Sequence, residues 1–163
     1  MVVLRIIHFL AGIFWVGTAM FIFFFLEPAA SKSGPAGGQV MGALAGSKMP
    51  LAMMSSSFLA VLSGLLMYWR NYGAINTASR TGLAFTIGGT AGLIAFLEGL
   101  VIHMPLQIRM KKLGEQIRAG GGAPSQEQMA EAQGLQAKMK HAARWTVILL
   151  VITVVAMAVA RYV

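Results

Sequence analysis

Four long runs of apolar residues dominate the chain: Val2 to Leu26, Met49 to Trp69, Thr81 to Leu106 and Trp145 to Ala160. A helix needs about 20 such residues to cross a hydrocarbon core of about 30 Å. The pattern predicts four transmembrane helices over about residues 2–26, 49–69, 81–106 and 143–161. The predicted fold is all-α, an integral membrane antiparallel four-helix bundle formed as one domain over residues 1–163. The first run is longer than the apolar part of a signal peptide and is followed by Glu27-Pro28 rather than a small-residue cleavage site. A retained helix is therefore expected there.

The polar intervals differ in kind. Glu27 to Lys48 is rich in Gly, Ala, Ser and Pro and reads as a loop with a short interfacial helix around Gln39 to Leu44. Pro50 suits the first turn of the second helix, where its missing N–H is not needed. Asn71 to Arg80 reads as a short turn. Helix-forming residues run past the third span from Gln107 to Ala119, then resume from Gln126 to Lys140 after Pro124-Ser125, an N-cap signal. Helices three and four are therefore predicted to extend into the cytoplasm as a hairpin, with Gly120-Gly121-Gly122-Ala123-Pro124 at its tip.

Composition and charge support the membrane reading and limit the chemistry. The chain is 57% hydrophobic and 11% charged, with a mean hydropathy of +0.71, whereas soluble domains carry about 25% charged residues. A net charge of +8 could suggest nucleic acid, but its distribution points elsewhere. Nine cations, Lys32, Lys48, Arg109, Lys111, Lys112, Arg118, Lys138, Lys140 and Arg144, fall in or beside the first and third connections. Four, Arg5, Arg70, Arg80 and Arg161, fall on the other side. The positive-inside rule puts both termini on the extracytoplasmic side, and the predicted partners are the lipid bilayer and no nucleic acid. The absence of cysteine excludes thiolate metal sites, iron–sulfur clusters and covalently attached c-type haem.

Ionisable residues within the spans are then the places to look for function. His8, Gly12, Trp15 and Ala19 share one helical face, as do Gly92, Phe96, Gly99 and His103. Each face sets a glycine one turn from a histidine, so a flat macrocycle could approach the backbone, with an aromatic beside it. A hairpin turning at the glycines puts His103 level with Lys140 to His141, close enough for a facing histidine pair near the cytoplasmic interface. A shift of two residues would rotate His141 by about 200°. Trp145 lies one turn deeper, and Arg144 is a cation that could meet haem propionates. His8 lies near the opposite surface and belongs to a separate site.

Each feature also has a structural reading. A histidine near a helix end can bond a carbonyl or reach the headgroups, and Gly88 with Gly92 forms a small-xxx-small helix contact. Glu98 at mid-depth is costly unless neutralised or paired, and reads as a proton relay or as a polar contact with Ser55, Ser56 or Ser57. Met49 and Met53, at i and i+4, could offer thioethers to Cu(I), although methionine is also ordinary apolar filler.

The segment Arg5-Ile6-Ile7-His8-Phe9-Leu10-Ala11-Gly12-Ile13-Phe14-Trp15-Val16-Gly17 resembles the first helix of a membrane superfamily. That superfamily contains the copper-resistance protein D-like domains and the oxygen-independent protoporphyrinogen oxidases of bacteria. Leu62-Ser63-Gly64-Leu65 is similar to the end of their second helix. The resemblance implies a four-helix module of the bacterial inner membrane with His8 as a haem or metal ligand. Phe23-Phe24-Phe25-Leu26-Glu27-Pro28 replaces the aromatic and basic pattern of the oxidase branch, and that branch's third-helix lysine has no counterpart here.

The leading expectation is a membrane b-type haem protein that transfers electrons, alone or as a subunit of a larger redox complex. His103 and His141 are the preferred axial pair, His8 is a further ligand, and Gly99, Gly12, Trp15, Trp145 and Arg144 line the cofactor. The alternatives are a copper-binding or copper-transport protein on the same histidines, and a non-catalytic subunit of a membrane complex. The chain is expected to be a homo-oligomer or to join such a complex.

Overall fold

The computed structural model describes residues 1–121 and 123–163, so Gly122, in the expected hairpin tip, lies outside the described residues. Among the described residues there are five helices and no strand. These are α1 (Val2–Lys32), α2 (Gly34–Ala45), α3 (Met49–Tyr72), α4 (Arg80–Ala119) and α5 (Gln126–Val159). All but α2 are long and apolar enough to cross a membrane.

Local sequence sets the helix ends. Pro50 occupies the first turn of α3, and Gly73, at φ +68°, closes that helix in a left-handed conformation while its N–H bonds Trp69 O at 2.7 Å. The Tyr68 hydroxyl bonds Thr86 Oγ1 at 2.6 Å and accepts from Asn76 N at 2.8 Å, which ties the turn after α3 to both helices it joins. Ser125 caps α5 in a full capping box with Gln128. The loop expected over Glu27 to Lys48 is mostly helix: α2 runs over Gly34–Ala45, longer than the short helix expected at Gln39 to Leu44, and α1 stays helical past Leu26 as far as Lys32. Pro28 is the reason this is possible, since it sits in the first turn after a π segment, where its missing N–H leaves no bond unmade.

Two helices contain a π turn. In α1 it spans Ile22–Leu26, and the Glu27 N–H bonds Ile22 O, five residues back. In α4 it spans Gly99–His103, and the Met104 N–H bonds Gly99 O. Each ends two residues before a proline, Pro28 and Pro105. A proline inside a helix lacks its N–H and crowds the carbonyl four residues back. A wider turn just before it relieves both defects.

The innermost cluster takes one residue from each long helix: Trp15, Ala60, Ala95 and Leu150, the last fully buried. Met53 packs against it as filler. The most extensive packing is α1 on α3 and α4 on α5. Small residues make the second pair close: a Cβ at Gly88 would lie 3.0 Å from Met157 Cγ, and one at Gly92 3.3 Å from Thr153 Cγ2. Gly88 and Gly92 are thus spent on the contact between α4 and α5. Farther along, Leu106 and Leu113 meet Leu135 in a second apolar cluster.

Candidate functional site

His8 is seated by α3. Its Nδ1 lies 2.7 Å from Ala60 O and 3.4 Å from Ser63 Oγ. A carbonyl can only accept, so Nδ1 carries a proton, and in the neutral tautomer of this ring Nε2 is the free acceptor. The ring rests over Gly64, where an added Cβ would come within 2.9 Å of His8 Cε1. Gly64 is therefore a notch for this imidazole. Ser63 is buried and spends its hydroxyl on its own helix, with Leu59 O at 2.5 Å. On the His8 face of α1, Trp15 enters the core, while a Cβ at Gly12 would meet nothing within 4 Å.

A second polar group joins α4 to α5. Thr146 Oγ1 lies 2.8 Å from Glu98 Oε2, 3.2 Å from His103 Nε2 and 3.2 Å from Ala142 O. All three side chains are half-buried. A hydroxyl has one hydrogen, and the short contact to an acceptor-only carboxylate takes it. Toward His103 the hydroxyl is then the acceptor, so the bonds run His103 Nε2–H to Thr146 and Thr146 O–H to Glu98. Glu98 and His103 are five residues apart, which in an α-helix would place them about 140° apart. The π turn Gly99–His103 lies between them and draws them toward one face, so both reach the same hydroxyl.

Glu98 also borders an apolar groove of about 460 Å³ between α4 and α5, whose walls include Ile94, Leu97, Val101, Trp145 and Leu149. Among the described residues, the one ion pair is Lys111–Glu115, away from this groove.

His141 is exposed, and its Nε2 accepts from the indole N–H of Trp145 at 3.2 Å. Arg144 is exposed too. The face of α5 toward α4 carries Ala142, Thr146 and Leu150, one residue on from the His141 and Trp145 face, a rotation of about 100°. His103 accordingly meets Thr146, and the two histidines engage different partners. Equal height along the two helices aligns backbone positions, whereas helical side chains lean toward their own N-terminus and the π turn shifts the ring further. The glycine Gly99 opens the π turn with nothing within 4 Å of an added Cβ. Glu98, predicted to bond a serine of the second helix, bonds Thr146 instead, while Ser56 and Ser57 bond carbonyls of their own helix.

No family model, curated protein or solved structure matches the chain. Function must therefore be argued from these two sites. Among the described residues, no three His, Cys, Asp or Glu side chains converge as a metal-binding group.

Thr146 and Gly64 are the residues that sequence reasoning missed. The signal for Thr146 was a hydroxyl in the fourth apolar run; for Gly64 it was the Ser63-Gly64 pair in the second.

Proposed function

We propose that this chain is a multi-pass protein of the bacterial inner membrane that binds a b-type haem through His8 and transfers electrons, alone or within a larger redox complex. The observation that carries the proposal is the 2.7 Å bond from His8 Nδ1 to Ala60 O. A backbone carbonyl bonded in this way fixes the tautomer of a metal-bound histidine, raises the basicity of its other nitrogen and holds the ring still. Gly12, one turn from His8 on the same helix, has open space where a Cβ would stand, which leaves room for a flat ring to approach the backbone. A bound haem would supply reversible one-electron chemistry. The chain would orient the imidazole through Ala60 and Gly64 and keep the surroundings apolar through the exposed aliphatic faces of α1 and α3.

The proposed architecture is an antiparallel four-helix bundle in which α4 and α5 continue as a hairpin on the cytoplasmic side. Its support is the fall of partner numbers along α5 as they rise along α4: Gly88 with Met157, Gly92 with Thr153, Glu98 with Thr146 and Leu113 with Leu135. The cation asymmetry supports extracytoplasmic termini. The exposed apolar face of α1, with Val2, Val3, Ile6, Phe9 and Leu10, suits lipid or a neighbouring subunit.

The test is an optical spectrum, oxidised and dithionite-reduced, of detergent-purified protein expressed with a haem precursor. A stoichiometric Soret band that shifts on reduction is expected from the unaltered chain, His103→Ala and His141→Ala, with loss of most of it in His8→Ala. A featureless spectrum from folded protein, or a band that survives His8→Ala, overturns the reading. Copper found by metal analysis in the featureless protein would favour the thioether alternative.

A further inference from the structure

We infer that Glu98, Thr146 and His103 form a proton-exchange relay inside the membrane, with Glu98 as its lipid-facing end. The relay lies in the α4–α5 pair and shares no residue with the His8 site, so it stands independently of the haem reading.

The argument starts from the order of the bonds. His103 Nε2 is 3.2 Å from Thr146 Oγ1, and Thr146 Oγ1 is 2.8 Å from Glu98 Oε2. A hydroxyl that accepts from one group and donates to another can pass a proton in a single concerted step. The proton on His103 Nε2 moves to Thr146 Oγ1 as the hydroxyl's own proton moves to Glu98 Oε2. Beginning from imidazolium and carboxylate, the products are a neutral imidazole and a neutral carboxyl group, the charge state that low-dielectric surroundings favour. Nothing is oxidised or reduced, and the threonine is unchanged in composition. Among the described residues His103 Nδ1 has no hydrogen-bond partner, so a proton can enter there, pass to the carboxyl group and return by the same path.

The surroundings match that task. Glu98 is a carboxylate at the edge of an otherwise apolar groove of about 460 Å³, where a purely structural tether between helices would need no opening. The sequence also maintains an unusual backbone to bring the two ends together, since Glu98 and His103 share Thr146 across the π turn at Gly99–His103. Such turns occur frequently at functional sites. Ala142 O, at 3.2 Å from the same hydroxyl, offers a resting acceptor when the carboxyl group is itself protonated.

The experiment is infrared spectroscopy of the full chain in lipid nanodiscs, following the carbonyl band of a protonated carboxyl group as the solvent is exchanged for D2O. Glu98→Gln identifies the band by removing it. The unaltered protein should exchange rapidly, Thr146→Val should slow the exchange at least tenfold, and Thr146→Ser should restore it. His103→Gln should slow it as Thr146→Val does. Equal exchange rates in the unaltered protein and Thr146→Val, or no band that Glu98→Gln removes at any pH, overturns the relay. A hydroxyl serving only as a structural tether would change the melting temperature in Thr146→Val and leave the rate alone. If Thr146→Val does not fold, the His103→Gln rate decides in its place.

Discussion

At the scale of single residues, two glycines near His8 have opposite roles. Gly12, on the same helix, has open space around it, whereas Gly64, on the neighbouring helix, touches the imidazole. A matched pair of substitutions separates them. Gly64→Ala should push the ring from Ala60 O and cost about 1–3 kcal/mol through overpacking and a weakened hydrogen bond. Gly12→Ala should be near neutral for stability. Thermal unfolding in one detergent checks both, and equal melting temperatures would show that Gly64 is not a notch. The chain reveals the ionisable residues directly, because His8, Glu98 and His103 stand out against apolar neighbours. It conceals their partners. Ala60 acts through its backbone oxygen, Gly64 through a missing side chain and Thr146 through a hydroxyl that helices in lipid commonly turn onto their own backbone.

At the scale of elements, hydropathy located the four long helices and the capping signals found the starts of α3 and α5. The π turns were invisible to a reading based on 3.6 residues per turn, and they alter which residues share a face. Pro28 and Pro105 were the available clue, each two residues beyond such a turn. Removing one residue from the turn, as in deletion of Val101, should return the segment to α-helix and leave Glu98 and His103 four residues apart, about 40° around the axis and still on one face. The expected outcome is a folded protein whose Glu98 carbonyl band still responds to Thr146→Val, measured by the same D2O exchange. Loss of the response would show that the relay needs the π turn itself and not only a shared face.

At the scale of the molecule, charge distribution predicts orientation in the bilayer. The chain has no cysteine, so each introduced thiol is unique. Ile75→Cys should react with a membrane-impermeant maleimide added to intact cells whose periplasm is open to the reagent. Ser31→Cys and Glu131→Cys should react only after permeabilisation. The reverse pattern would invert the topology and place His103 toward the extracytoplasmic side.

The helices also pair with near neighbours in sequence, α1 with α3 and α4 with α5. Every atom that holds His8 in place comes from residues no later than Gly64, while the Glu98, Thr146 and His103 group comes entirely from residues after it. On the ribosome, every residue that seats the first histidine is added to the chain before any member of the second group. The order of translation is thus also the order in which the two sites become available to be filled.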